Sequence, residues 1–347
     1  MNMVRVLSID GGGIRGVIPA QVLVRIEELL VEFSGDKDAR ISDFFDLIAG
    51  TSTGGIISAL CVCPSADNPL KARYTAKEIL KMYEENGRSI FTRSVKTKTY
   101  DYFGLFNPIY QKDNLEKILQ DYFGEVRLSE TVKPCLIPSY DLQSGKAVFF
   151  SKLLLDFGSE DDLSLKDVVR ATSAAPTYFP VKECDPAAFI DGGLFANNPA
   201  LCAYVEATKF PSGPQSRDIM LLSLGTGSIG STYPYKEAKK WGRLNWIIPV
   251  INIYGSAASQ VVDHQLHRIY AEKELGSNYL RLEADLSKHA ASKAMDDASP
   301  KNIRHLMEVG NDLVKDNEGL LREFVKKIVS SQETSRHRDL YRKRNRG

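Results

Sequence analysis

Residues 3–16, MVRVLSIDGGGIRG, join a short β-branched run to a cluster of glycines, and apolar residues then recur at helical spacing over Val17–Phe33. The same order returns at once, because the apolar run Phe44–Ala49, FFDLIA, leads through GTSTGG into a second helical pattern over Ile56–Val62. Two consecutive strand–turn–helix units are typical of a parallel sheet. The sequence therefore predicts an α/β protein.

The rest of the chain continues this mixed pattern. Helices are predicted over residues 77–87, 114–123 and 165–173, and strands over 131–138, 147–151 and 219–224. Beyond Tyr235 we expect mainly helices. Because no internal repeat or low-complexity linker interrupts the chain before residue 330, we predict one domain over residues 1–330. This domain would have three α/β/α layers around a mainly parallel central sheet.

Composition and charge describe an ordinary globular chain of 347 residues. Hydrophobic residues make up 43% and charged residues 26%, which leaves enough apolar side chains for a large core. The formal net charge is +1, so no global field attracts nucleic acid and we expect no such partner. The five cysteines are irregularly spaced, which fits neither a disulfide framework nor a zinc site.

The two ends of the chain bear on its location. No apolar signal core precedes Asp10, and no apolar stretch is long enough to span a bilayer, so we expect a cytoplasmic protein with at most transient membrane contact. Six arginine and lysine side chains between residues 336 and 346 face only Asp339. We therefore expect residues 331–347 to form a basic, mobile tail outside the fold, with contact to anionic headgroups as the alternative.

A serine lies at the centre of the second glycine turn. Gly50-Thr51-Ser52-Thr53-Gly54 is a GxSxG sequence between an apolar run and a helical pattern, which is the context that a nucleophile elbow requires. The sharp turn needs small residues two positions before and two after the serine, and the two glycines supply them. The motif indicates a nucleophilic serine, while a plain glycine-rich turn is the alternative.

The first glycine turn has the form of an anion site. Asp10-Gly11-Gly12-Gly13-Ile14-Arg15-Gly16 offers consecutive backbone N–H groups without obstructing side chains in front of a helix. Such a loop suits the oxyanion of acyl transfer and also a phosphate, although neither a P-loop nor a dinucleotide fingerprint is present. Arg15 could hold the loop, face a lipid phosphate or form a structural ion pair.

The base that a nucleophilic serine requires has two kinds of candidate. All five histidines follow residue 263, and His264 or His267 could complete a Ser–Asp–His triad, although both lie in a charged, helix-like stretch. Asp191 is better placed, because it follows the apolar run Ala188–Ile190 and precedes two glycines. A plain Asp-Gly turn is the alternative for Asp191.

Four motifs in this order resemble the patatin-like phospholipase family. They are DGGGIRG at residues 10–16, GTSTGG at 50–55, TSAAPTYFP at 172–180 and DGGLFANNP at 191–199. Their joint occurrence is far more specific than any one of them, and the resemblance covers about residues 4–225. It implies the patatin-like fold and hydrolysis of lipid acyl esters.

The resemblance also implies a catalytic dyad without histidine. Ser52 would be the nucleophile, Asp191 the base, and Gly11, Gly12 and Gly13 the oxyanion loop. The site would be supported by Arg15, Gly50, Thr53 and Gly54. We assign Asn197-Asn198-Pro199 and Ala174-Ala175-Pro176 to shaping the site. No metal or organic cofactor is required, and the implied substrates are membrane phospholipids, which the protein would reach by transient contact with the membrane surface.

Two alternatives to this interpretation and one modification of it remain. The protein could be a Ser–Asp–His esterase that uses a late histidine, or a lipid-binding or storage protein with weak esterase activity. Some bacterial relatives of patatin are defence effectors switched on by cyclic nucleotides, which adds a small-molecule activator as an option. The sequence identifies no pocket for such an activator.

One apolar stretch is separate from these motifs. The segment Leu244–Val262 contains Trp246, Ile247, Ile248, Ile251 and Ile253, and it could form a lid or a membrane-contact patch near the mouth of the site. We expect burial in the core for most of these side chains.

Overall fold

A computed structural model describes residues 3–91, 109–110, 112–155, 162–228, 230, 233–271 and 275–344. In chain order its strands are β1 Val4–Ile9, β2 Leu47–Gly50, β3 Cys135–Asp141, β4 Lys146–Ser151, β5 Lys182–Cys184, β6 Ala187–Asp191, β7 Ile219–Leu224 and β8 Tyr279–Leu282. Its helices are α1 Val17–Ser34, α2 Ile41–Phe44, α3 Thr53–Val62, α4 Ala76–Ile90, α5 Lys112–Phe123, α6 Lys152–Leu155, α7 Leu165–Thr172, α8 Gly193–Ala196, α9 Ala200–Ala207, α10 Tyr235–Ala238, α11 Arg243–Ala271 and α12 Pro300–Arg344. These elements form the mixed α/β fold that the sequence predicts.

The strands of the described residues form one sheet. Its order is β5-β6-β3-β2-β1-β7-β8, and β4 pairs with β3 outside this path. The five strands from β3 to β8 in this order run parallel, whereas β4, β5 and β6 are joined by antiparallel pairs. The prediction of a mainly parallel central sheet is therefore confirmed.

Helices cover both faces of the sheet. Along β1, Leu7 and Ile9 point into a core shared with α1, α3, α4 and α12, while Val4 and Val6 point into a second core with α9 and α11. Successive side chains of a strand alternate between faces, so a central strand that is covered on both sides reads as a continuous apolar run. This explains why apolar and polar residues do not alternate regularly along the sequences of β1 and β7.

Several element boundaries differ from the predictions. Phe44 ends helix α2 instead of opening a strand, so β2 begins at Leu47. The predicted strand over 131–138 lies at 135–141 in the structure, and a short 3-10 turn over residues 128–130 precedes it. Strand β8 lies in the region expected to be mainly helical. It is an edge strand of four residues, too short for a clear alternating pattern.

The C-terminal helix is longer than expected. The backbone of α12 continues to Arg344, so most of the segment expected to be a mobile tail is helical. Gln332 is buried, and its side chain donates a hydrogen bond to the carbonyl of Asp43. No proline or glycine interrupts residues 320–346, so nothing local ends the helix at residue 330. The domain boundary at residue 330 stays a prediction.

Helix α11 corrects the expectation for the apolar stretch. Trp246 and Ile253, which we expected to be mostly buried, are each 40% exposed, and their neighbours Val250 and Tyr254 are about half exposed. The side chains of Ile247, Ile248 and Ile251 lie outside the described residues. Among the helices that the structure describes, none combines the length and the apolar character needed to cross a bilayer.

Candidate active site

The carboxyl ends of neighbouring strands bring the predicted motifs together. Ile9 of β1 pairs with Gly50 of β2 and with Leu224 of β7, so the glycine loop, the serine turn and the loop after β7 leave the sheet side by side. Strand β6 delivers Asp191 opposite Ser139 of β3. A cavity of about 400 Å³ is lined by residues from the glycine loop, the serine turn, the end of β6 and the loop after β7. Ligand sites of parallel sheets typically lie at this edge.

Ser52 lies at a sharp turn between β2 and α3. Its φ of 55° and ψ of −122° place it in a region that residues with side chains rarely adopt. The flanking glycines make this turn possible, because a Cβ at Gly50 would overlap the carbonyl of Gly54, and a Cβ at Gly54 would overlap the carbonyl of Ile9. The GxSxG sequence thus has the strained strand–turn–helix geometry of a nucleophile elbow.

Thr172 anchors the backbone of Ser52. Its Oγ1 accepts the N–H of Ser52 at 3.0 Å and donates to the carbonyl of Pro138 at 2.6 Å. The N–H of Ser52 therefore already donates a hydrogen bond within the protein and does not face a substrate. The sequence gives no sign of this role for Thr172, because no local pattern pairs a threonine with a backbone N–H 120 residues away.

Asp191 is a buried carboxyl group with a perturbed pKa. Its side chain is almost inaccessible, and the loss of solvation raises its pKa to about 6. The neighbouring Ser52 side chain and a hydrogen bond from the N–H of Gly193, at 2.7 Å, favour the charged form and limit this rise. The N–H of Asp191 donates to the carbonyl of Ala174 at 3.1 Å. A carboxyl group that meets a serine hydroxyl and titrates near pH 6 has the properties of a general base.

The three glycines of the loop differ in what their N–H groups do. The N–H of Gly11 donates to the carbonyl of Asn197 at 3.0 Å, so it is already used within the fold. Within the described residues, no acceptor pairs with the N–H of Gly12 or of Gly13. A Cβ built on Gly11 would lie 3.3 Å from the Cβ of Ser52, which places the loop beside the serine. The geometry therefore retains Gly12 and Gly13 as candidate oxyanion donors and makes Gly11 a structural residue.

Side chains on both sides hold the carbonyl of Gly11. It accepts the hydroxyl of Thr226 at 2.7 Å and the side-chain amide of Asn197 at 3.3 Å. Asn197 was expected to shape the site, and this contact is how it does so. The predicted supporting residue Thr53 forms a short hydrogen bond with Tyr83, which fixes the first turn of α3.

Arg15 is buried under the glycine loop. Its Nε donates to the carbonyl of Gly12 at 3.4 Å and its Nη1 to the carbonyl of Gly227 at 3.3 Å. Burial lowers the pKa of its guanidinium. Of the three roles that the sequence left open, these carbonyl contacts favour the one in which Arg15 holds the loop.

A buried ionic network, absent from our sequence analysis, fixes the start of the loop. Arg281 of β8 donates to both carboxylate oxygens of Asp10, at 2.8 and 2.6 Å, and to Ser223 at 2.7 Å. It also forms an ion pair with Glu283. Ser259 of α11 donates to Asp10 at 3.1 Å. We missed Arg281 because β8 was not predicted, and an isolated arginine carries no sequence signal.

Apolar side chains form much of the cavity wall. They come from α3, α4, α5 and the segment before β5: Ile56, Ile90, Phe91, Leu115 and Phe179. The rings of Phe91 and Phe179 contact each other, with centroids 6.0 Å apart. Such a wall suits a hydrocarbon chain, and the polar groups gather around Ser52 and the glycine loop.

The histidines lie away from this geometry. Among the cavity-lining residues that the structure describes, none is a histidine. Both His264 and His267 lie on α11, where the imidazole of His267 is 63% exposed and its Nδ1 contacts Asp263 at 3.1 Å. In the described part of the chain, no three His, Cys, Asp or Glu side chains form a group that could hold a metal ion.

Known proteins place the chain in a family. A family model described as patatin-like phospholipase matches residues 7–204. Patatin-2-Kuras 3 of Solanum tuberosum is 36% identical over 337 residues, which cover 90% of this chain and 84% of the potato protein. Patatin-like protein 2 of Oryza sativa is 34% identical over 348 residues, with 91% and 85% of the two chains covered.

A solved structure gives a distant match. Human GIVD cytosolic phospholipase A2 is 10% identical, with a TM-score of 0.44, over 95% of this chain and 60% of the human chain. The family model covers more than half of this chain, and the plant relatives cover nearly all of it. The chain therefore belongs to the patatin-like phospholipase family.

Proposed function

We propose that this protein is a phospholipase A that cleaves fatty acyl esters of membrane phospholipids with a Ser52–Asp191 dyad. The observation that carries the proposal is the buried Asp191 carboxyl group, which lines the same cavity as Ser52, interacts with the Ser52 side chain and has its pKa raised to about 6. A buried carboxylate beside a serine on a strained turn has the geometry of a base and its nucleophile. The names of the related proteins supply the substrate class.

The first step is attack by the serine. Asp191 accepts the proton of Ser52 while Oγ attacks the ester carbonyl, and the carbonyl oxygen becomes an oxyanion. The N–H groups of Gly12 and Gly13 stabilise this charge, and the position of the loop at the start of α1 adds to the stabilisation. When the tetrahedral intermediate collapses, the alcohol leaves with the proton from Asp191 and an acyl-enzyme remains.

The second step returns the enzyme to its starting state. Asp191 accepts a proton from water, which attacks the acyl-Ser52 carbonyl, and the same loop holds the second oxyanion. Collapse of this intermediate releases the fatty acid and reprotonates Ser52. Every proton moves between Asp191, Ser52, water and the leaving alcohol, so the dyad is sufficient for the whole cycle. The apolar wall of the cavity would bind the acyl chain.

The test is release of fatty acid from phosphatidylcholine and phosphatidylglycerol vesicles in EDTA. We expect Ser52→Ala and Asp191→Asn to lose at least about 10⁴-fold in rate. Matched controls are Ser58→Ala and Asp218→Asn, which remove a buried serine and a buried aspartate away from the cavity lining. The double variant His264→Ala/His267→Ala should keep its activity, and loss of activity there would replace the dyad with a Ser–Asp–His triad.

Location and regulation belong to the same proposal. We infer a cytoplasmic protein that contacts membranes transiently, in line with its lipid substrates. A small-molecule activator, such as the cyclic nucleotide of some bacterial relatives, stays a prediction. If the wild type releases no fatty acid from any lipid, nucleotides are screened next. If they also fail to produce activity, the proposal is replaced by a lipid-binding or storage role.

A further inference from the structure

Helix α11 has a polar face toward the cavity. Gly255, Ser256, Ser259 and Asp263 of this helix line the cavity, and Ser259 also contacts Asp10 of the glycine loop. A helix on the surface of a water-soluble domain normally has the opposite arrangement, with apolar residues inward and polar residues outward. The polarity of α11 is therefore inverted in this region.

The opposite side of α11 is apolar and exposed. We call it the outer face, and it consists of Trp246, Val250, Ile253, Tyr254 and Val261, which are 40% to 54% exposed. At 3.6 residues per turn these positions fall within an arc of about 100°. The sequence carries no charged residue from 244 to 262. An apolar stripe of this kind marks an interaction surface more often than a solvated one.

The outer face continues to the rim of the cavity. Gln260 is exposed and also lines the cavity, so it lies where the two sides of α11 meet. Leu194 of α8 is likewise 37% exposed and lines the cavity. Because α8 packs against α11, Leu194 and Gln260 join the outer face to the cavity opening. Anything bound to the outer face therefore lies next to that opening.

Aromatic and basic side chains flank the start of α11. Trp246 contacts Trp241 edge to face, with ring centroids 5.0 Å apart, and Trp241 contacts Tyr233 at 5.2 Å. The exposed cations Lys236, Lys239 and Lys240 precede the helix, and we call them the basic flank. Tryptophan and tyrosine favour the headgroup level of a bilayer, and lysines near its surface are attracted to anionic lipids.

We propose that the outer face of α11, together with Lys236, Lys239 and Lys240, docks on a bilayer surface that contains anionic lipid and holds the cavity opening against it. This inference deepens the proposed function, because it names the surface through which a phospholipase would reach its substrate. The helix would lie in the interface plane with its apolar stripe among the acyl chains, as interfacial helices do. A second copy of this chain seated on the outer face is the other outcome that the test distinguishes.

The test separates docking from catalysis. Binding to vesicles is measured by co-sedimentation with Ser52→Ala protein, so that hydrolysis does not alter the membrane. In this background we expect Val250→Asp and Ile253→Asp each to weaken binding roughly tenfold, because a charged group cannot enter the acyl region at low cost. The matched control is Leu320→Asp, which changes a 56%-exposed leucine on α12, and it should bind like the Ser52→Ala parent.

Vesicle composition tests the basic flank. The parent should bind vesicles of phosphatidylcholine with phosphatidylglycerol more tightly than phosphatidylcholine alone. A triple variant, Lys236→Glu/Lys239→Glu/Lys240→Glu, should lose on the order of 100-fold in affinity for the anionic vesicles and lose this preference. If the triple variant keeps the preference for anionic vesicles, the basic flank has no part in docking and this proposal is wrong.

A second measurement distinguishes failure of docking from failure of the proposed function. In proteins with Ser52 restored, hydrolysis of vesicle lipid is divided by hydrolysis of a soluble short-chain ester, which does not need the membrane. We expect this ratio to fall roughly tenfold in Val250→Asp and to stay at the wild-type value in Leu320→Asp. A wild type that is inactive on both substrates, with and without added nucleotides, refutes the proposed function, while the binding experiment still decides the docking surface. Unchanged vesicle binding in the α11 variants overturns the docking proposal. It is also overturned if the parent is a dimer and the α11 variants are monomers that still bind vesicles, because the outer face is then a contact between two copies of the chain.

Discussion

Arg281 forms a bidentate ion pair with Asp10, through contacts of 2.8 and 2.6 Å, and so ties strand β8 to the first residue of the glycine loop. The side chains are 8% and 3% exposed, and removal of one member of such a pair leaves the other charge buried. The loop that supplies Gly12 and Gly13 is therefore held at its start by a residue 271 positions away in the sequence.

Loss of Arg281 should destabilise the fold and displace the loop. We expect Arg281→Gln to lower the free energy of unfolding by about 3–5 kcal/mol. The double variant Asp10→Asn/Arg281→Gln should lose less than the sum of the single variants, since the buried Asp10 charge is then not left without its partner. Urea unfolding measures both, and simple additivity would show that the pair is not coupled. Because Arg281 acts through the loop, kcat should fall in the single variant more than KM changes.

The pH profile of activity should follow Asp191. As a base, Asp191 works only when it is deprotonated, and burial raises its pKa to about 6. We expect kcat/KM on a soluble ester to be level above pH 7 and to fall tenfold per pH unit below about pH 6. If Asp191 had the ordinary pKa of about 3.9, the enzyme would keep its activity down to pH 4–5. A profile of that shape would show that burial does not raise the pKa of the catalytic base.

The same burial predicts a stability gain in an inactive variant. Folded Asp191 keeps its proton up to about pH 6, whereas the unfolded chain releases it near pH 3.9. The unfolded state thus binds fewer protons between these values, and the stability of the wild type falls as pH rises through them. The variant Asp191→Asn has no carboxyl group to deprotonate and is free of this loss. We therefore expect its free energy of unfolding to exceed that of the wild type by up to about 3 kcal/mol at pH 8, and by much less at pH 4. Urea titrations at the two pH values measure this gain, and an equal gain at both would contradict it.

Gly13 should tolerate no side chain, in contrast to a glycine of similar backbone conformation. Gly13 has a φ of 60° and Gly35 a φ of 70°. A Cβ at Gly13 would overlap the carbonyl of Met295, whereas a Cβ at Gly35 would meet no atom within 4 Å. We expect Gly35→Ala to cost only about 1–2 kcal/mol of stability and to stay active. Gly13→Ala should lose roughly 100- to 1,000-fold in kcat, and equal effects in the two variants would argue against a donor role for the loop.

Thr172 should matter through the position of Ser52. Thr172→Val keeps the shape of the side chain but removes both the acceptor for the Ser52 N–H and the donor to Pro138. We expect a loss of about 1–3 kcal/mol in stability and a fall in kcat of about tenfold or more, with little change in KM. Thr208→Val is the control, since its hydroxyl donates to the carbonyl of Val205 at the exposed surface. A kcat unchanged in Thr172→Val would show that the elbow holds Ser52 without this anchor.

The sequence by itself determined the α/β class, the order of the main elements and the family. Short apolar runs followed by glycine turns mark β1 and β2, because a buried parallel strand must be apolar on both faces and its turn must admit close backbone contacts. For the same local reason Ser52 could be identified as a nucleophile candidate from GxSxG. Asp191 could be chosen because it ends an apolar run.

Only the tertiary structure decided which groups meet. The bond from Gly11 to Asn197, the anchor of Ser52 at Thr172 and the ion pair of Asp10 with Arg281 each join residues more than 100 positions apart. No local periodicity records such pairs, because they are set by how strands order in the sheet. The exposure of α11 was missed for a related reason: an apolar stretch has the same sequence whether it faces a core or the outside, and only packing against its neighbours decides which.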